Sequence, residues 1–256
     1  MANARESRSG LDPAFEAGIV AAKIQSTLIS NCLTQQQWEK HVADCLQYRF
    51  HAAMIPAAWV RKTADSLRGS GIRVASFIDL PLGTMSSAGK AYESGQLVDE
   101  GAEEIDLMPN VGFLLSGMEK AYFEDIRGVV AGAGGVPVKI MLELPLLNEQ
   151  QRERAVALSV EAGVAYLKNA SGGAVGTAKP EDIRYLRRVA PAQVRIKASG
   201  GIKTAKQVEE LLDAGADLLG TSVGVQIVRE LLGGDEMTDR RASFRNDSSR
   251  NDSSGY

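Results

Sequence analysis

The chain has 256 residues, enough for one α/β barrel and short of two average domains. At 44% hydrophobic and 24% charged residues it has an ordinary globular composition, which excludes a mostly disordered chain. With 29 basic and 32 acidic side chains the net charge is −3, so no basic surplus points to nucleic acid or an anionic membrane surface.

Residues 1–15 read as a flexible amino-terminal segment, and the opening MANARESRSG lacks an apolar signal core. From 16 to 233 short apolar runs alternate with helix-length amphipathic stretches, the pattern of one barrel domain. Strands are predicted at 22–29, 50–56, 72–80, 103–108, 136–144, 164–169, 193–198 and 216–221. Helices are predicted between them at 34–48, 57–68, 88–100, 114–132, 148–162, 180–189 and 204–214. Trp38, inside the first of these helices, reads as packing. Cys32 and Cys45 are too few for a disulfide framework, and with only His41 and His51 beside them no zinc site is expected. The apolar run Val136 to Leu147 contains Lys139 and Glu143 and falls short of the roughly 20 apolar residues of a membrane span. Residues 234–256 form a polar tail expected to be disordered, and Arg240-Arg241-Ala242-Ser243 within it reads as solvated chain.

A weak repeat supports the alternation. Asp99-Glu100-Gly101-Ala102, Glu161-Ala162-Gly163-Val164 and Asp213-Ala214-Gly215-Ala216 each read as a helix end, a glycine in the left-handed cap position, and a buried strand. Repeated helix–Gly–strand units imply a parallel sheet, and eight of them fit a single-domain (β/α)8 TIM barrel. An open doubly wound sheet is the alternative, but no Gly-x-Gly-x-x-Gly follows an early strand.

Barrel chemistry sits at the carboxyl ends of strands, so the polar residues inside strands matter most. Asp106, Lys139, Glu143, Lys168 and Lys197 fall on four consecutive predicted strands, and their apolar neighbours face the helices. Lys139 and Glu143, four apart on one face, read as a structural ion pair. The three lysines together read differently, because like charge and burial both lower a lysine's hold on its proton. A neutral lysine attacks carbonyls, and a neighbouring carboxylate such as Asp106 moves protons. Ser199-Gly200-Gly201, Gly220-Thr221-Ser222 and Ser171-Gly172-Gly173 follow the last three strands, where backbone N–H groups of many barrels hold phosphate.

At these residues the sequence resembles the deoxyribose-phosphate aldolases, class I aldolases on a (β/α)8 barrel. The likeness covers roughly 20–232 and rests on Leu80-Pro81-Leu82-Gly83, Glu104-Ile105-Asp106, Val138-Lys139-Ile140 with Glu143, Leu167-Lys168, Ile196-Lys197-Ala198-Ser199-Gly200-Gly201-Ile202 and Gly220-Thr221-Ser222. The resemblance implies that Lys168 forms the Schiff base, that Lys197 lowers its proton affinity, and that Asp106 with a water is the acid/base partner. It implies cleavage of 2-deoxyribose 5-phosphate to acetaldehyde and glyceraldehyde 3-phosphate. Phosphate would rest on Ser171, Gly172, Gly200, Gly201, Gly220 and Ser222, with Lys139, Glu143, Gln25 and Thr27 in support. No cofactor and no metal are implied. A small aldehyde or sugar phosphate is the partner, with no nucleic acid or membrane, in a cytoplasmic homo-oligomer.

Four departures stand out. Where the family has Ile-Asp-His-Thr-Leu-Leu the chain has Ile24-Gln25-Ser26-Thr27-Leu28-Ile29, so a sugar-contacting aspartate becomes Gln25. Pro56 replaces an asparagine, Asn169 stands where a threonine follows the Schiff-base lysine, and Val223 replaces a serine. These changes leave open a Schiff-base lyase for a different hydroxy-aldehyde or hydroxy-ketone. They also leave open a phosphate-binding barrel without aldolase turnover, whether an isomerase or a binding protein.

Overall fold

The computed structural model describes residues 12–172 and 175–233. Helix α1 (Pro13–Ala21) opens the fold, with the Asp12 carboxylate accepting the Ala14 N–H and proline in the first turn. The barrel follows as β1 (Ile24–Thr27), α2 (Gln35–Tyr48), β2 (Ala52–Met54), α3 (Val60–Leu67), β3 (Arg73–Ile78), α4 (Ser87–Asp99) and β4 (Glu104–Leu107). It continues with α5 (Val111–Leu115), α6 (Glu119–Gly132), β5 (Val138–Met141), α7 (Glu149–Glu161), β6 (Tyr166–Lys168) and α8 (Pro180–Val189). It ends with β7 (Arg195–Ser199), α9 (Ala205–Asp213), β8 (Leu218–Thr221) and α10 (Gly224–Leu231). The strands pair in parallel in sequence order, and β8 closes on β1 through Ile24 opposite Leu219.

Each predicted strand is present, shorter than the apolar run that marks it. Three differences have local causes. The helix predicted over 114–132 is two helices, because Gly117 takes φ 71° and turns the chain between α5 and α6. The boundary expected at residue 15 falls inside α1, whose proline start sits in a polar stretch. Helix α10 was not foreseen, being only 8 residues long and opening on Gly224. The remainder of the predicted amino-terminal segment and the tail 234–256 lie outside the described residues.

Capping sets several helix starts. Thr34, Asn148 and Thr204 each form a capping box with a glutamine three residues on, at the starts of α2, α7 and α9. Strand alternation then divides the core. Ile24, Val74, Ile105, Leu107, Ile140, Leu167, Ile196 and Leu219 face outward into one large apolar cluster under the helices. Ala52, Met54 and Ala75 form a separate small cluster inside the barrel, packed with Phe77. The rest of the interior is largely polar: Gln25, Glu104, Asp106, Lys139, Lys168 and Lys197 are buried there. Trp38 packs as expected, stacked on Trp59 at 5.8 Å and donating from Nε1 to Thr63 Oγ1 at 2.8 Å.

One buried ion pair lies among the helices. Lys90 of α4, fully buried, contacts Asp125 Oδ2 of α6 at 2.8 Å and Asp79 Oδ2 at 3.3 Å, and donates to the carbonyls of Gly83 and Met108. It ties α4 to α6 and to the loops after β3 and β4. Lys90→Met leaves the Asp125 carboxylate buried without its ammonium, an expected loss of about 3–5 kcal/mol of folding free energy. Urea unfolding of the variant measures it.

Candidate active site

The carboxyl ends of the strands surround a cavity of about 560 Å³. Among the predicted residues its lining includes Gln25, Thr27, Asp106, Lys168 and Lys197. Ser171, Gly172, Gly200, Gly201, Gly220 and Ser222 line it too.

Asp106 is the hub. Lys168 Nζ lies 3.0 Å and Lys197 Nζ 2.6 Å from the same oxygen, Oδ2, while Lys139 Nζ lies 3.3 Å from Oδ1. Strand register builds this: Asp106 is opposite Lys139, and Lys168 is opposite Lys197. Burial by itself would raise the Asp106 proton affinity, but Lys197, Lys168 and Lys139 outweigh it and hold the carboxyl far below the usual range. Asp106 is therefore ionised throughout the working range. Lys197 moves the other way. Burial, joined by the like charges of Lys168 and Lys139, depresses its proton affinity well below an ordinary lysine, against the pull of Asp106. Lys168 is the more accessible of the pair, its side chain 8% exposed against 1% for Lys197.

The expected pairing of Lys139 with Glu143 is not present. Lys139 pairs with Glu104 Oε2 at 2.8 Å and with Asp106, and neither Lys139 nor Glu143 lines the cavity. β5 ends at Met141, and Glu143 takes a left-handed backbone with φ 53°, so strand alternation stops before it. Its Oε1 accepts the Ser171 N–H at 2.5 Å, holding the loop after β6.

Glu104 lies deeper, toward the amino-terminal mouth, between Lys139 and His51, whose Nε2 is 2.7 Å from Glu104 Oε1. Burial favours its neutral form, but the His51 hydrogen bond and the Lys139 charge prevail and lower its pKa from 4.5 to about 2. Because the folded value is depressed, this stabilisation is complete above the unfolded value and is lost as pH falls from 4.5 toward 2. Acid unfolding followed by circular dichroism should therefore steepen over that window, and Glu104→Gln should flatten it.

The glycines make room. Gly172 and Gly200 both have positive φ, and a Cβ on either would meet the Cα of the other at 3.3 Å. The loops after β6 and β7 therefore touch backbone to backbone. A Cβ on Gly220 would sit 3.1 Å from Lys197 Cε, so this position must stay small for Lys197 to reach Asp106. Thr221 Oγ1 donates to the Ile202 carbonyl at 2.8 Å, joining the end of β8 to the loop after β7, and α10 begins just beyond without a side-chain cap. Uncapped N–H groups at a helix start attract anions.

The departures separate by position. Asn169 is buried and does not line the cavity; its amide donates to the Ser199 carbonyl and accepts the Ser199 N–H, so it clamps β6 to β7. Pro56 starts a short turn and does not line the cavity. Val223 lies on the cavity rim. Gln25 is buried with both amide atoms unpaired, against the cavity. Sequence reasoning missed Thr177 and Lys203, which also line the cavity. Lys203 directly follows Gly200-Gly201-Ile202, and a cation beside glycines that suit an anion was the available signal.

No protein-family model matches the chain. Among curated proteins it is similar to a deoxyribose-phosphate aldolase of Coprothermobacter proteolyticus, 38% identical over 208 residues, 81% of this chain and 95% of the relative. The chain belongs to the deoxyribose-phosphate aldolase family. A deoxyribose-phosphate aldolase of Geobacillus sp. is 36% identical over 210 residues, 82% of this chain and 94% of that one. Among solved structures, the tetrameric deoxyribose phosphate aldolase of Aeropyrum pernix superposes with a TM-score of 0.77 at 27% identity, covering 89% of this chain and 99% of that one. The aldolase QR15 gives a TM-score of 0.79 at 26% identity over 83% of this chain and 96% of its own. The shared barrel is the single-domain (β/α)8 barrel expected from the sequence.

Proposed function

We propose that the protein is a class I aldolase that cleaves 2-deoxyribose 5-phosphate to acetaldehyde and glyceraldehyde 3-phosphate through an imine on Lys168. The observation that carries the reading is the pair of lysines sharing Asp106 Oδ2 at 3.0 and 2.6 Å on the wall of a glycine-rimmed cavity. A neutral Lys197 amine takes a proton from Lys168 across the shared carboxylate, leaving a free amine where the cavity meets the more exposed lysine. That amine attacks the aldehyde carbon of the open-chain sugar, and loss of water gives a protonated imine.

A base then removes the proton of the C3 hydroxyl, the C2–C3 bond breaks, and its electron pair moves into the imine to form an enamine. Glyceraldehyde 3-phosphate departs, the enamine is protonated at carbon, and water releases acetaldehyde. Asp106, held ionised by its lysines, steers these protons between the Nζ atoms and water. Gly172, Gly200, Gly201, Gly220, Ser171 and Ser222 receive the phosphate, with Lys203 adding positive charge at the rim.

Gln25 favours a second reading within the same chemistry. A neutral amide stands where the family carries a carboxylate, so the preferred hydroxy-aldehyde can differ from deoxyribose phosphate. Acetaldehyde release from 2-deoxyribose 5-phosphate, measured beside other phosphorylated and unphosphorylated aldols, decides. The first reading requires deoxyribose phosphate to give the highest kcat/KM. A better aldol establishes the second, and no release from any aldol defeats both.

The reading also places the protein in the cytoplasm, in keeping with Cys32 and Cys45, both free. No described helix is long and apolar enough to cross a membrane. It takes the protein to be a homo-oligomer, as the Aeropyrum pernix relative is tetrameric, which light scattering tests.

A further inference from the structure

His51 stands one residue before β2, at the amino-terminal mouth of the barrel, opposite the cavity. Its side chain is 13% exposed, and its Nε2 lies 2.7 Å from Glu104 Oε1. The other Glu104 oxygen is 2.8 Å from Lys139 Nζ, which is 3.3 Å from Asp106 Oδ1. Asp106 Oδ2 then holds Lys168 and Lys197. Glu104, Lys139 and Asp106 are almost completely shielded from solvent. The barrel therefore encloses an unbroken string of ionisable groups, running from one mouth to the lysine pair. Burial removes the screening that would otherwise decouple its ends. The chemistry of the aldol step uses neither His51 nor Glu104.

From this string we infer that His51 and Glu104 are positioning residues: charge at the amino-terminal mouth sets how tightly Asp106 holds its two lysines, and so how much free amine the cavity presents. The inference rests on the aldolase reading. A positive charge at position 51 draws Glu104 from Lys139. Lys139 then turns more fully to Asp106, which pairs less strongly with Lys168 and Lys197. A neutral side chain at position 51 reverses each step.

Other charged groups face this end of the string. Arg73 of β3 lies with Nη1 3.4 Å from His51 Nδ1 and Nε 3.8 Å from Glu104 Oε1. Tyr166 of β6 lies beneath Arg195 of β7 at 4.2 Å and faces Lys139 of β5 at 5.7 Å. Asp217, just before β8, adds a negative charge near Tyr166.

The test is the pH dependence of imine trapping by acetaldehyde and cyanoborohydride, read by intact mass, with deoxyribose phosphate cleavage measured in parallel. The rising limb of His51→Arg, which carries a permanent charge, is expected about half a unit lower in pH than that of the neutral His51→Gln. Glu104→Gln is also expected to place the limb below that of His51→Gln. KM for the sugar phosphate stays unchanged, since these groups do not touch the cavity. Both His51 variants occupy a partly exposed site and remain informative if Glu104→Gln does not fold. Superimposed limbs for His51→Gln and His51→Arg overturn the inference, as does a changed KM with an unmoved limb or a wild type that gives no adduct. A wild type that traps acetaldehyde without cleaving deoxyribose phosphate defeats the substrate reading alone, and the limbs still decide the coupling.

Discussion

Lys168→Ala is expected to lower kcat for aldol cleavage by about 10⁴-fold or more, because in the proposed mechanism it deletes the atom on which every covalent intermediate forms. Its effect on folding is expected to be small or favourable. Lys168 is one of three lysines that meet a single Asp106 carboxylate, and its removal leaves Lys197 at 2.6 Å and Lys139 at 3.3 Å as partners. The fold therefore loses like-charge repulsion and leaves no carboxylate unpaired. Steady-state rates beside a thermal melt check both halves. A variant that keeps substantial turnover contradicts the covalent reading, whereas one that unfolds contradicts the account of the charge cluster.

Asp106→Asn is expected to act in the opposite sense on stability. It removes the carboxylate shared by Lys139, Lys168 and Lys197, all buried. Buried charges stripped of their partner cost about 3–5 kcal/mol, or about 10 °C in Tm for a barrel of this size. The deficit should shrink as pH rises, because deprotonating a lysine relieves the repulsion that the asparagine cannot offset. Turnover should fall with it, since the lysines lose the oxygen on which they meet. Melts of the wild type and the variant across alkaline pH measure the difference. A constant gap in Tm contradicts the electrostatic origin.

The strands were legible because burial on the helix side forces alternation. Ile105 and Leu107 bracket Asp106, and Val138 and Ile140 bracket Lys139, so the charged residues could only point inward. Register between neighbouring parallel strands then brings them together at one height. Alternation also produced the error at Glu143, because it was carried past Met141, where the strand ends and the backbone turns left-handed. The true partner of Lys139, Glu104, sits two residues before Asp106 on the same face of β4.

Loop residues carry no period. Thr177 and Lys203 reach the cavity from the loops after β6 and β7, and sequence spacing did not mark them. Lys90 was equally hidden: a lone lysine in a helix reads as a solvated face, and only the packing of α4 on α6 reveals Asp125 opposite it. Gln25 was noticed as a departure, but its two unpaired amide atoms are visible only in the fold.

The central claim is that Lys168 is the nucleophile and that Asp106 and Lys197 make it one. Incubation with acetaldehyde and borohydride, followed by peptide mass spectrometry, tests it most directly, because borohydride reduces an imine to a stable amine where it forms. The account predicts one reduced adduct, on Lys168, absent from Lys168→Ala. An adduct on Lys197 or Lys139 instead, or none above the background of surface lysines, contradicts it.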